Sequence, residues 1–173
     1  MIREAGGYLD LLRVEDEAGE LLAHGVRSME GLVGLMEMVV FDPAGRFLLA
    51  FRLARLPGRP LVQIGIPYLA VDDQGQTIGE LRRRAVGLTG RSYELWNQGE
   101  AVLTVPSPSR SQPYPMLLRG APVAMITEEI PMLAKAGQGT WTVRFSAPCP
   151  RLSVLALATY VATSRGHSGI PSG

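Results

Sequence analysis

Apolar and polar positions alternate in short runs over most of this 173-residue chain, and the alternation stops near residue 151. Residues 140–145 (Thr-Trp-Thr-Val-Arg-Phe) show the clearest period of two, the signature of a half-buried strand. Glycine turns separate the apolar-rich runs. Asp16-Glu-Ala-Gly19, Asp42-Pro-Ala-Gly45, Asp72-Asp-Gln-Gly75 and Asn97-Gln-Gly99 each sit between two such runs, and Arg119-Gly120 marks a fifth. Asp or Asn opens a turn of this kind through its side-chain oxygen, and Gly supplies the positive φ near its end. The flanks pair as hairpins: 36–41 with 46–52, 68–71 with 77–82, 92–96 with 101–105, and 116–118 with 123–126. The pattern predicts a serial β-meander of about ten or eleven strands.

The segment from Arg151 to Arg165 reads differently. Its apolar residues, from Leu152 through Val154, Leu157 and Tyr160 to Ala162, point in every direction around a helix. A helix that is apolar all round is buried in protein or in lipid. At about 1.5 Å per residue its apolar run reaches only half of a ~30 Å hydrocarbon core. It is therefore predicted as a helix buried inside the β-structure, and the chain has no transmembrane segment. Closing a long meander into a barrel removes its exposed edges, and an apolar helix fills a barrel too wide for side chains alone. Helices do not alternate with strands, which excludes a doubly wound α/β fold.

Two segments read as loops. Residues 106–115 carry four prolines and three serines, and residues 56–60 (Leu-Pro-Gly-Arg-Pro) form another loop. Residues 28–35 fit either a short surface helix or a loop. Residues 166–173 read as a disordered tail, leaving 1–165 as one domain. Composition narrows the functions. A net charge of +1 gives no global case for nucleic-acid or membrane binding. Lys135 is the only lysine among 17 basic residues, a bias of composition before it is a sign of phosphate binding. A single cysteine, Cys149, permits no internal disulfide, and no signal peptide is visible, so the expected location is cytoplasmic.

Repeated strand–Asp-x-x-Gly–strand hairpins, ended by Arg151-Leu-Ser-Val-Leu-Ala-Leu-Ala158, resemble the Tubby C-terminal-like superfamily. The LURP-one-related and phospholipid-scramblase-like branch is the nearest in pattern. The matching pieces are residues 39–50, residues 69–79 and the terminal helix, and the resemblance runs over residues 8–165. It implies a closed antiparallel β-barrel of about twelve strands around a central hydrophobic C-terminal α-helix. It also implies a non-enzymatic protein, peripheral to membranes, that binds anionic phospholipid head groups or a protein partner. The chain departs from the family where that family's calcium-associated stretch would lie. Residues 145–150 (Phe-Ser-Ala-Pro-Cys-Pro) hold no carboxylate, so neither a metal nor any other cofactor is expected.

Candidate chemistry is sparse. His24 and His167 are the only histidines and assemble no zinc site. Cys149 lies between two prolines at a helix start, where a thiol can be activated, but it fits equally as a small apolar residue at a corner. Glu128-Glu129 and Asp72-Asp73 have no partner acid, and Asp72 reads as a turn initiator. No Walker loop, dinucleotide fingerprint, EF-hand loop or serine elbow is present. The basic run Arg82-Arg83-Arg84, with Arg91 beyond the next loop, is the one charge cluster. On a strand only Arg82 and Arg84 share a face. Together with Arg91 they form the candidate site for an anionic head group, unless they serve only to blunt a sheet edge. The alternative function is a lipocalin-like carrier with an internal apolar cavity, which a helix along the barrel axis would fill.

Overall fold

The computed structural model describes residues 9–28, 37–53, 67–86, 90–106, 113–129 and 139–165. Eleven strands and one helix follow in chain order. They are β1 (Leu9–Glu15), β2 (Leu21–Ser28), β3 (Glu37–Phe41), β4 (Phe47–Leu53), β5 (Tyr68–Asp72), β6 (Thr77–Val86), β7 (Gly90–Asn97), β8 (Glu100–Val105), β9 (Tyr114–Leu118), β10 (Ala121–Glu129), β11 (Gly139–Phe145) and α1 (Arg151–Arg165).

Each strand pairs with its neighbours in sequence, and β1 pairs with β11 to close the barrel. All the sequential ladders are antiparallel, but the closing one is parallel, with Val14 opposite Trp141. This departs from a wholly antiparallel barrel for a geometric reason. Strands of an up-and-down meander alternate in direction, so with eleven of them the first and last run the same way. The eleven described strands match the meander expected from the turns and fall one short of the twelve implied by the resemblance.

All five sequence-marked turns are present, with φ between 77° and 88° at Gly19, Gly45, Gly75, Gly99 and Gly120. In the three Asp turns the carboxylate organises the loop. Asp72 Oδ1 accepts from the Gln74 and Gln76 amides at 3.0 and 2.8 Å. Asp42 Oδ1 accepts from the Arg46 amide at 2.8 Å, and that bond above all holds its carboxyl below the usual range. The other two hairpins are two-residue turns in which both central residues have positive φ, Gln98-Gly99 and Arg119-Gly120. Their twist matches that of the flanking strands.

One loop expectation needs correction. Residues 114 and 115 were expected to be loop because of the prolines, yet they open β9. The β8–β9 register ends at Leu117, so Pro115 has no described neighbour on that side and its missing N–H interrupts no ladder there. Residues 56–60, 29–35 and the 166–173 tail lie outside the described residues.

The core lies between the barrel wall and α1. Odd strands run toward the end carrying the five tight turns, so β11 delivers the chain there. The Ser146 amide donates to the Val123 carbonyl at 2.9 Å, pinning the corner, and the Val154 amide donates to Pro150 at 3.1 Å, opening the helix. The helix then returns through the barrel. Every residue from Val154 to Ala162 is buried. Alanines on both surfaces make the fit possible: Ala156 and Ala158 on the helix, Ala23, Ala70 and Ala124 on the wall, all with no exposed surface. Larger side chains, among them Leu49, Leu81, Leu95, Leu103 and Leu157, fill the remaining space. Each such burial contributes about 1.5–3 kcal/mol. Tyr160 anchors the far half of the helix, with ring centroids 6.4 Å from Phe51, 6.0 Å from Tyr68 and 5.9 Å from Tyr93.

Candidate anion-binding ribbon

Strand β6 is the longest described strand, at 10 residues, and the strands that flank the β6–β7 hairpin, β5 and β8, do not follow it to its end. Pairing with β5 stops at Tyr68 opposite Leu81. On the far side of β7, pairing with β8 stops at Val105 opposite Tyr93. Yet β6 and β7 stay paired to Val86 opposite Gly90. Past Leu81 β6 therefore has no described partner on its β5 side, and past Arg83 the hairpin is a two-stranded ribbon, overshooting the described barrel wall by roughly 10 Å at ~3.3 Å per residue. Burial agrees. Arg82, Arg83, Arg84, Ala85 and Val86 are all exposed, including those on the face that is core one turn earlier.

The register distributes the arginines over both faces. Arg82 and Arg84 lie opposite Glu94 and Ser92, on the outer face. Arg83 lies opposite Tyr93, and Arg91 opposite Ala85, on the face continuous with the barrel interior. The expected trio of Arg82, Arg84 and Arg91 is thus split, two to one. Arg83, set aside in the sequence because it points away from Arg82 and Arg84, is the diagonal neighbour of Arg91. Like charges held so close gain from a shared anion.

Arg82 is already engaged. Its Nε donates to Glu80 Oε1 at 2.8 Å, and its guanidinium carbon lies 4.3 Å from the centre of the Trp96 ring. The bond to Glu80, reinforced by the charge of Glu94, raises its pKa further. Glu94 is itself 8% exposed and accepts from Trp96 Nε1 at 2.6 Å and Ser92 Oγ at 3.4 Å. This cluster is the foot of the ribbon, a bracing device that holds the outer faces of β6 and β7 together. Among the described residues Arg83, Arg84 and Arg91 form no ion pair.

The other candidates are structural. His24 stacks on Phe41, ring centroids 5.5 Å apart. Cys149 is half-buried and packs against the core, and burial pushes its thiol pKa up, opposite to what a nucleophile needs. Glu128 is buried and accepts from the Tyr114 hydroxyl at 3.3 Å, while Glu129 is exposed. His167 lies outside the described residues.

An open groove of about 510 Å³ lies on the opposite side of the barrel, where β10, β11 and β1 meet. Glu15, Asp16, Glu17 and Glu129 line it against a single arginine, Arg144, which is held by Glu17 at 2.6 Å. It would repel an anion. No described helix is long and apolar enough to cross a membrane.

What sequence reasoning missed was the overshoot. The signal was the length of the run from Thr77 to Val86 against the short Tyr68–Val71 run before it. Comparison of the chain with protein-family models, with curated proteins and with solved structures finds no match.

Proposed function

We propose that this chain is a non-enzymatic barrel that binds anionic phospholipid head groups through its β6–β7 ribbon. The observation that carries the reading is the set of three exposed arginines, Arg83, Arg84 and Arg91, without ion-pair partners among the described residues on a hairpin that projects past the wall. Guanidinium groups match phosphate oxygens by charge-assisted hydrogen bonds. Each one near an anionic surface contributes about 1 kcal/mol. The acidic groove on the far side gives the molecule a polarity that turns the ribbon toward a negative surface.

The helix along the axis supports surface binding over internal carriage, because apolar side chains fill the space a carrier would leave for its ligand. The reading also agrees with the surface binding implied by the resemblance to LURP-one-related and scramblase-like proteins. On this reading the chain is cytoplasmic and meets membranes peripherally.

Flotation with phosphatidylcholine vesicles, with and without phosphatidylserine, tests it. The protein should float only with the anionic vesicles at low ionic strength, and largely detach at high salt. Failure to float with anionic vesicles at low salt would remove the lipid reading and leave a protein partner as the ribbon's target.

A further inference from the structure

Val86 is 45% exposed, the most exposed large apolar side chain among the described residues. It closes the β6–β7 ladder opposite Gly90, at the outermost described pair of the ribbon. Arg84 lies two residues behind it on the same face, and Arg83 and Arg91 occupy the other. An exposed apolar side chain at the outermost described pair, with cations set back along the shaft, is the layout of an element that reaches through head groups into the acyl boundary.

We infer that Val86 enters the bilayer interface while Arg83, Arg84 and Arg91 hold head groups, so that the barrel docks end-on with its five tight turns facing away. This rests on the lipid reading above and adds depth and orientation to it. A two-stranded basic ribbon also suits a nucleic-acid groove. The exposed valine at its end favours lipid, because a groove of phosphates and base edges offers an apolar tip little.

The test places an environment-sensitive fluorophore at position 86, by Val86→Cys in a Cys149→Ser background. A control carries it at position 73, by Asp73→Cys, an exposed site in a turn at the opposite end. With vesicles of phosphatidylcholine and phosphatidylserine, emission from position 86 should shift to the blue and be quenched by lipids carrying a spin label near the head group. Position 73 should not change. In the unlabelled protein, Val86→Ser should weaken vesicle binding by about fivefold and Val86→Trp should strengthen it.

If the parent binds these vesicles while the label at 86 stays in water and Val86→Ser binds equally well, insertion is overturned and head-group binding stands. A shift at position 73 instead of 86 overturns the orientation. If the parent binds a short DNA duplex more tightly than the vesicles, the lipid assignment of the ribbon is overturned. If it binds neither, both proposals fall together.

Discussion

Arg83 and Tyr93 face each other directly across the β6–β7 ladder, on the same side of the sheet, yet Tyr93 is 3% exposed and Arg83 is open to solvent. The rim of the barrel passes between them. Tyr93 belongs to the wall, paired to β8 and packed against Tyr160 of the helix, while Arg83 stands where β6 has lost its described β5 partner, at the start of the ribbon. Thermal unfolding should therefore separate the two. Arg83→Ala should change stability by no more than about 0.5 kcal/mol. Tyr93→Ala should cost about 3–5 kcal/mol, the range for a buried aromatic. Equal effects would mean that the ribbon is part of the packed wall.

The helix is the core of the barrel, and its centre tolerates no charge. Leu157 has no exposed surface. Leu157→Asp should leave the protein insoluble or unfolded, since an unpaired buried carboxylate costs several kcal/mol. A soluble Leu157→Asp variant with the parent's melting temperature would contradict a helix at the barrel centre.

Alkaline pH should loosen the helix at Tyr160. Burial pushes that hydroxyl up to about 12 from an ordinary value of 10.0. The folded state thus holds the proton more tightly than the unfolded one. The stabilisation is complete below pH 10 and is lost as pH rises through 12, by on the order of 3 kcal/mol. Chemical denaturation across that window should show the decline in the parent and a flatter profile in Tyr160→Phe. Parallel profiles would show that another group sets the alkaline limit.

Gly79 holds β6 against β7. A Cβ there would stand 2.8 Å from the Trp96 carbonyl oxygen and 2.7 Å from Leu95 Cδ2. The first neighbour is backbone and cannot swing away. Gly79→Ala should destabilise by about 1–3 kcal/mol, read as a lowered denaturation midpoint with an unchanged denaturant slope.

Much of this fold was legible in the chain because its signals are local. Asp42, Asp72 and their glycines announce turns by their own chemistry, and the apolar run within 152–162, too short to span a bilayer, has no place to go but inside protein. The parallel closure was not legible, because it depends on the parity of the strand count and on β1 finding β11 across the whole sequence. The site was half legible. The run Arg82-Arg83-Arg84 stands out in any reading, and alternation assigns its faces. Which arginine lacks an ion-pair partner among the described residues is a matter of neighbours. Arg82 is taken by Glu80 and Trp96, and Arg83 is exposed because β5 ends at the level of Leu81. Pro115 misled for the same reason, since its tolerance depends on where the β8 ladder stops.

The central claim, that the ribbon's arginines bind an anionic membrane, is tested most directly by the affinity of Arg83→Ala/Arg84→Ala/Arg91→Ala for vesicles of phosphatidylcholine and phosphatidylserine at low salt. Loss of three surface cations worth about 1 kcal/mol each should weaken binding about a hundredfold, with the melting temperature nearly unchanged. A folded triple variant that binds these vesicles as tightly as the parent would contradict the account.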